Sequence, residues 1–266
     1  MLINYLIWLF EKNFYVYGAR KLHAVINQPE HLDAHDQGPV ARCTVERLMK
    51  IAQLKGLVRR KNPNTTYSAP KESCPLDLVD RKFSAAHPNS LWVADITYVR
   101  THAGWVYTAF VTDVYSRKIV GWKISDSLYA ELAVDALSMA ISARQRAGQS
   151  VAELVHHSDR GVQYRSIAYA TALEDNEIVA SVGSRGDSYD NALAEALNSL
   201  YKGEVIHNSA WHPDAWQGID DVEKATLEWV GWYNAERVHS KLGNRSPNDF
   251  EALYWTDHQP AAVSAA

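Results

Sequence analysis

Three acidic side chains stand where acids are out of place. Asp95 is the only charge in the alternating stretch LWVADITYV, Asp159 closes the short apolar run VHHSD, and Glu195 sits in NALAEALNSLYK, with 35 residues between it and Asp159. A lone ionised carboxylate in a buried strand costs roughly several kcal/mol, or takes up a proton, unless a cation or hydrogen bonds compensate. Something must therefore meet Asp95. Two aspartates on strands and a glutamate on a helix supply what a hard divalent cation requires: oxygen ligands converging from rigid elements, with positions left for water and phosphate. No other ligand set competes, because Cys43 and Cys74 are the only cysteines and neither lies in a C-x-x-C pair.

The elements that must hold these residues follow from periodicity. In LWVADITYV, Trp92, Ala94, Ile96 and Tyr98 take one side of a strand and Val93, Asp95, Thr97 and Val99 the other. From Glu195, helical steps of three, four and seven reach Asn191, Asn198, Ser199 and Lys202 on one polar face, opposite an apolar stripe of Leu193, Leu197, Leu200 and Tyr201. Glu195 is thus expected to point out of the core, along a rim that also carries a cation. After LWVADITYVR and a turn at His102 to Gly104, WVYTAFVTDVYS and KIVGWKIS complete a meander. ELAVDALSMAISARQ reads as a helix, ELVHHSD as a strand, Ser166 to Asn176 as a helix, EIVASV as a strand, and the Glu195 helix follows. Three strands, helix, strand, helix, strand, helix is the order of an α/β, ribonuclease-H-like mixed sheet flanked by helices.

Smaller candidates surround the acids. Strand alternation puts His157 on the side of Asp159, in reach of a metal shell or DNA, and turns His156 inward. Trp92, Trp105 and Trp122 read as core rather than base-stacking platforms. Gly161, Gly183 and Gly186 suit loop turns near the site.

Composition bounds the rest. The chain has 266 residues, 47% hydrophobic and 22% charged, enough for one sizeable core and a smaller module. The apolar start MLINYLIWLF is interrupted by Glu11, short of the ~18 residues a membrane span needs, and lacks the basic flank and cleavage site of a signal peptide. It reads as the core face of a first helix, with a partner helix expected upstream. No membrane association is expected, and few cysteines fit a reducing, cytoplasmic compartment. The net charge of −4 conceals an asymmetry: residues 1–85 carry 13 Lys and Arg against 8 Asp and Glu, residues 86–204 carry 10 against 14, and residues 205–266 carry 4 against 9. A basic front and an acidic body suit a protein that grips phosphates with one part and holds cations with another.

The front itself carries helical spacing in YGARKLHAVINQ (Leu22, Val25, Ile26) and in ARCTVERLMKIAQLKGL (Val45, Leu48, Met49, Ala52), the second ended by Gly56. Two such helices resemble a helix-turn-helix whose second helix offers Arg42, Thr44, Glu46 and Arg47 to the major groove, with Lys55, Arg59, Arg60 and Lys61 behind it; the alternative is a plain helical hairpin with solvated charges. The polar connection PEHLDAHDQGP is long for that motif. The organisation is then a small helical helix-turn-helix module at 1–66, a linker at 67–88, the α/β core at 89–205 and a helical extension at 206–266. In the extension, Asp220 to Asn234 is an amphipathic helix, and Arg237, His239, Lys241 and Arg245 form a basic cluster suited equally to plain surface or to DNA.

The stretches YGARK, TVERLM, LWVADITYV, DVYSRKIVGW, HHSDRGVQY, GDSYDNALAE and WYNAERVHSKLGNRSP occur in order between about Tyr17 and Phe250. With the D-x35-E interval, the chain resembles the DDE transposases of bacterial insertion sequences, the OrfB-type proteins of the IS-three family, which share a core with retroviral integrases. The resemblance implies that Asp95, Asp159 and Glu195 hold two Mg²⁺ ions, replaceable by Mn²⁺, and that Lys202 reaches DNA. Two cations about 4 Å apart activate a water or 3′-hydroxyl and stabilise the leaving oxygen of a phosphodiester displacement, with no covalent enzyme intermediate. Asn198 joins Lys202 among the expected DNA contacts, with His157 and Asn191 as supporting polar groups beside the acids. The resemblance further implies transposon-end and target DNA as partners, a homo-multimer, a fused upstream-frame OrfA segment, and a location in the bacterial cytoplasm at the nucleoid. Two other readings stay open: a non-catalytic DNA-binding remnant or regulator of transposition, and a ribonuclease-H-type nuclease on RNA–DNA hybrids. The second leaves the basic front and the C-terminal extension without a use.

Overall fold

The computed structural model describes residues 2–58, 84–159, 161–182, 191–212 and 214–258. Its centre is a five-stranded sheet in the order β3-β2-β1-β4-β5. Strands β1 (Leu91–Thr101), β2 (Gly104–Asp113) and β3 (Ile119–Ser125) form the antiparallel meander, while β4 (Val155–Ser158) and β5 (Val179–Val182) add in parallel beyond β1. The mixed sheet and the order of its elements are those the periodicity predicts.

Alternation in β1 feeds two cores. Trp92 and Ala94 pack with Leu132, Ala136, Leu137 and Ala140 of helix α5 (Ala130–Arg146) and with Tyr169 and Leu173 of α6 (Ile167–Glu174). On the other face, Val99 and Phe110 meet Leu197 and Tyr201 of α7 (Ala192–Tyr201) and Trp229 of α8 (Ile219–Ala235). Among the three tryptophans expected in the core, Trp92 is fully buried, whereas Trp105 is 44% exposed. It lies at the start of β2 opposite Arg100, edge-on to Tyr98 with the Arg100 guanidinium over its ring, packed by these neighbours on the sheet rather than by a helix.

The front is a four-helix unit: α1 (Leu2–Lys12), α2 (Ala19–Ile26), α3 (Pro29–His35) and α4 (Arg42–Ile51). The polar connection expected between two helices contains α3. Pro29 opens it at a position where a missing N–H costs nothing, and the buried His35 reaches the Ile26 carbonyl at 3.1 Å. Helix α4 also stops earlier than expected, capped at Ala52 instead of Gly56. Gly56 serves a close approach: a Cβ there would lie 2.4 Å from the Gly18 nitrogen and 2.6 Å from the Tyr17 carbonyl. Helices α1, α2 and α4 share one apolar core with α8 and the sheet, and polar contacts pin the unit there. Trp232 Nε1 donates to Asn13 Oδ1 at 3.2 Å, and the Val238 amide donates to the Tyr17 hydroxyl at 2.9 Å.

Two further features of the C-terminal region were not expected. Ser246 caps a ninth helix, α9 (Pro247–Asp257), accepting from the Asp249 amide with Pro247 in the first turn. Arg237 is not a surface cation: it is buried, donating from Nε at 2.9 Å and from Nη2 at 2.5 Å to Glu204. Among the described residues, no helix is long and apolar enough to cross a membrane.

Candidate active site

The register between β1 and β4 sets the two aspartates side by side. Ala94 pairs with Ser158, so Asp95 and Asp159 each follow the last paired residue of two adjacent parallel strands. β4 ends there, while β1 runs on against β2, with Asp95 opposite Phe110. Asp95 thus sits where β1 loses one neighbour and a gap opens in the sheet. Helix α7 covers it: Asn198 Nδ2 donates to Asp95 Oδ2 at 2.8 Å, and Asn191 Nδ2 to the Ala94 carbonyl at 3.0 Å. Glu195 lies between them in sequence and remains exposed. The polar face of α7 is therefore only half what its composition predicts, since Asn191 and Asn198 are buried clamps and Glu195 alone of the three reaches solvent.

The carboxylates act on one another. Burial, then the charge of Asp159 and that of Glu195, push Asp95 up to about 8, against the opposing hydrogen bonds from the Ile96 amide and Asn198. Asp159 is raised by burial, countered by the Gly161 amide at 2.8 Å and by His157. Glu195 is raised by burial and by Asp159. Gly161 permits this: a Cβ there would stand 2.8 Å from Asp159 Oδ1. The glycine is needed for space, since its φ of −54° is open to any residue.

Sequence reasoning passed over Tyr164, in the HHSDRGVQY stretch. Burial, then the charges of Asp95 and Asp159, hold the pKa of its phenol well above normal, and its hydroxyl has no hydrogen-bond partner. The signal was present in its spacing, five residues after Asp159 in a polar loop. His157 is fully buried, its Nδ1 2.9 Å from Ser181 Oγ on β5, and His156 bonds the Tyr169 hydroxyl through Nε2 at 3.0 Å. Burial holds the His156 pKa down at about 3, so this ring is neutral and structural, as alternation predicts.

The donor set suits a hard divalent cation. No Lys or Arg forms an ion pair with Asp95 among the described residues, while the buried Asn198 Oδ1, Asn191 Oδ1 and Tyr164 hydroxyl around it lack partners. Three carboxylates in repulsive range, ringed by unmatched oxygens, call for positive charge. Among the described residues, however, no three His, Cys, Asp or Glu side chains already converge tightly enough to ring an ion. The repulsion is in place without a closed cage.

The other expected contacts are dispersed. Lys202 begins a π-type turn at the end of α7, with its Nζ 4.3 Å from the centre of the Tyr98 ring. On α4, Arg42 and Arg47 are exposed and Thr44 partly so, Arg42 pairing with Glu46 at 3.1 Å. Arg59, Arg60, Lys61, Gly183 and Gly186 lie outside the described residues.

Comparison with known proteins agrees with this arrangement. Residues 3–62 match the HTH-like domain family, and residues 85–188 and 176–247 match two Integrase core domain families. A Mycobacterium tuberculosis protein, named as a transposase for insertion sequence element IS986/IS6110, is 45% identical over 252 residues, covering 94% of this chain and 87% of its own. The Shigella sonnei transposase for IS629 is 44% identical over 247 residues, 93% of this chain and 77% of its own. Escherichia coli K12 transposase InsF for IS3A is 34% identical over 210 residues, covering 78% and 69%. In fold, the chain is similar to one in the simian T-cell lymphotropic virus intasome solved with PP2A regulatory subunit B56 gamma, with a TM-score of 0.53 and 15% identity over 92% of this chain and 76% of that one. By its identity to these relatives along nearly its whole length, the chain belongs to the family of insertion-sequence transposases.

Proposed function

We propose that the chain cleaves and joins DNA strands during movement of an insertion sequence, as a DDE-type polynucleotidyl transferase with Asp95, Asp159 and Glu195 as its metal-holding carboxylates. The observation that carries this reading is the trio of acids that raise one another's pKa at the open end of β1 and β4, with no basic partner for Asp95 among the described residues. Mg²⁺ is the expected cofactor, as two ions with Mn²⁺ as a substitute. When bound, such cations lower the pKa of a water or 3′-hydroxyl and stabilise the leaving 3′-oxygen. The chain's own groups do the rest. Asn198 and the Ile96 amide orient Asp95, the Gly161 amide orients Asp159, and Tyr164 holds a proton on its hydroxyl beside both.

DNA contact falls to Lys202 beside the site and to Arg42, Thr44 and Arg47 on α4, with Arg59 and Arg60 following; Asn198, expected at DNA, is buried against Asp95 and serves it instead. His157 and Asn191 support the acids through β5 and β1. Synapsis of two transposon ends calls for a multimer, with an upstream-frame OrfA segment as the expected fusion partner, in the cytoplasm at the nucleoid. A regulator that only bound DNA would gain nothing from an uncompensated acid in the central strand.

The test is cleavage of labelled terminal-repeat DNA in Mg²⁺ by wild type and Glu195→Gln. The variant should lose nearly all cleavage while binding DNA as before. Equal cleavage by the two would end the assignment.

A further inference from the structure

Two stretches singled out in the sequence, DVYSRKIVGW and WYNAERVHSKLGNRSP, leave most of their basic residues unused by the carboxylate site. They meet at a cleft of about 250 Å³ behind α7, on the flank away from Glu195. Its walls include Lys21 from α2, Arg117 from the β2–β3 turn, and Arg237, His239 and Lys241 after α8. Leu193 and Leu197 of α7 supply an apolar side, and no Asp or Glu is among the described lining residues. Glu204, next to the cleft, is engaged by Arg237 through two of its nitrogens.

Three observations point to a cleft that can receive negative charge. Arg117 is held in the left-handed region at φ 62°, uncommon for a residue other than glycine, and places a partly buried guanidinium that forms no ion pair with a described residue. Thr112, 1% exposed, lines the cleft with a hydroxyl that has no hydrogen-bond partner. His239 is pushed down to about 2 by burial and then by the charges of Arg237, Lys21 and Arg117, and accepts from Arg237 Nη1 at 3.1 Å. A neutral His239 adds no positive charge of its own and leaves the cations around it to meet an anion.

Guanidinium groups match the geometry of tetrahedral oxyanions, and a buried hydroxyl without a partner can donate to one. We propose that this cleft is an oxyanion site that takes a phosphate group, the chemistry shared by a DNA backbone phosphate and a free nucleotide. Leu193 and Leu197 give a sugar an apolar surface to lie against. The site is independent of the three carboxylates, and Glu195→Gln should leave its binding intact even if the catalytic reading fails.

The full chain is titrated calorimetrically with inorganic phosphate and with thymidine 5′-monophosphate, and its affinity for a labelled blunt duplex is followed by anisotropy across a salt series. Arg117→Gln should weaken whichever phosphate binds by about 10-fold or more, and Thr112→Val by about 5-fold. Mononucleotide binding with duplex affinity unchanged in the variants supports a nucleotide as occupant. Weakened duplex binding, with a salt slope smaller by about 1, supports a backbone phosphate. Should Arg117→Gln fail to fold, the exposed Lys241→Gln carries the same comparison. Absence of phosphate and mononucleotide binding, together with duplex affinity and salt slope unchanged in Lys241→Gln and Thr112→Val, overturns the proposal.

Discussion

Replacing Asp95 by asparagine should make the metal-free protein more stable at pH 8. Burial and two neighbouring acids raise Asp95 from 3.8 to about 8. For an acid, a folded-state pKa above the unfolded one means that the folded protein holds the proton longer. Stability is then greatest below about pH 4 and is lost as pH rises to about 8, beyond which nothing further is lost. At 1.36 kcal/mol per pKa unit, the shift sets a ceiling of ~6 kcal/mol. Asp95 is partly solvent-exposed and shares its titration with Asp159 and Glu195, so less than half, about 2–3 kcal/mol, should be realised.

Asparagine suits this position. Its one oxygen keeps either the Ile96 amide or the Asn198 contact, and Asn198 can rotate its amide to present the unpaired Oδ1 to the new NH₂ group. The assay is calorimetric melting of both proteins from pH 4 to pH 8 in chelator, then with excess Mg²⁺. At pH 8 in chelator the variant should melt higher by about 5–10 °C, on the order of 2–4 °C per kcal/mol for a chain this long. The gap should shrink toward pH 4. Mg²⁺ should stabilise wild type selectively, by ~2.7 kcal/mol at 100 times its dissociation constant. Parallel profiles for the two proteins, with Mg²⁺ shifting neither or both alike, would refute the claim that Asp95 is an uncompensated acid.

Arg144→Met should destabilise the chain by about 3–5 kcal/mol in urea unfolding, because Asp113 and Glu251 would be left as buried acids without their shared cation; a loss below about 1 kcal/mol would show the pair to be solvated. Gly161→Ala should lower DNA cleavage by roughly 10- to 100-fold with little change in melting temperature, since its Cβ must displace Asp159 Oδ1. Full activity in that variant would detach the Asp159 position from the chemistry. Gly56→Ala should cost on the order of 1–3 kcal/mol, because its Cβ meets the Tyr17–Gly18 backbone rather than a flexible side chain. Hydrogen exchange should accelerate in α1 and α2, and unaltered exchange there would refute the close approach as a constraint.

What could be read in the sequence follows from how local each signal is. The strand alternation around Asp95 and the apolar stripe on α7 depend on neighbours within a turn or two, and a mixed sheet flanked by helices follows from the succession of such elements. Helix α3 was hidden because its composition is polar all round; its helicity shows only in Pro29 at the first position and in the packing of His35. The sides of α7 were legible, but the fate of its polar side was not, since whether Asn198 faces water or Asp95 depends on a strand 103 residues away. Arg237 was misjudged for the same reason, its partner Glu204 being 33 residues upstream. The exposure of Trp105 depends on which distant elements cover each end of β2, which no periodicity encodes.

The long-range contacts explain why the helix that carries Glu195 needs the C-terminal segment. At its start, Asn191 clamps α7 to β1, and one turn past Glu195, Asn198 reaches Asp95. At its far end the Tyr201 hydroxyl meets Thr226 Oγ1 of α8 at 2.6 Å, and Glu204, just beyond, is held by Arg237 and by Trp229 Nε1 at 3.3 Å. A buried ion pair is a poor source of net stability compared with well-packed apolar groups, but it tolerates little displacement, because separating its members strands a charge. The Arg144 network does the same for α9, tying Glu251 to Asp113 at the end of β2. A helix pinned at both ends to the sheet and to α8 cannot slide by a residue without breaking amide clamps on one side and ion pairs on the other. The position of Glu195 relative to Asp95 is therefore fixed by residues from one end of the chain to the other, which is how a rigid helix can offer an exposed carboxylate to two half-buried ones and keep it there.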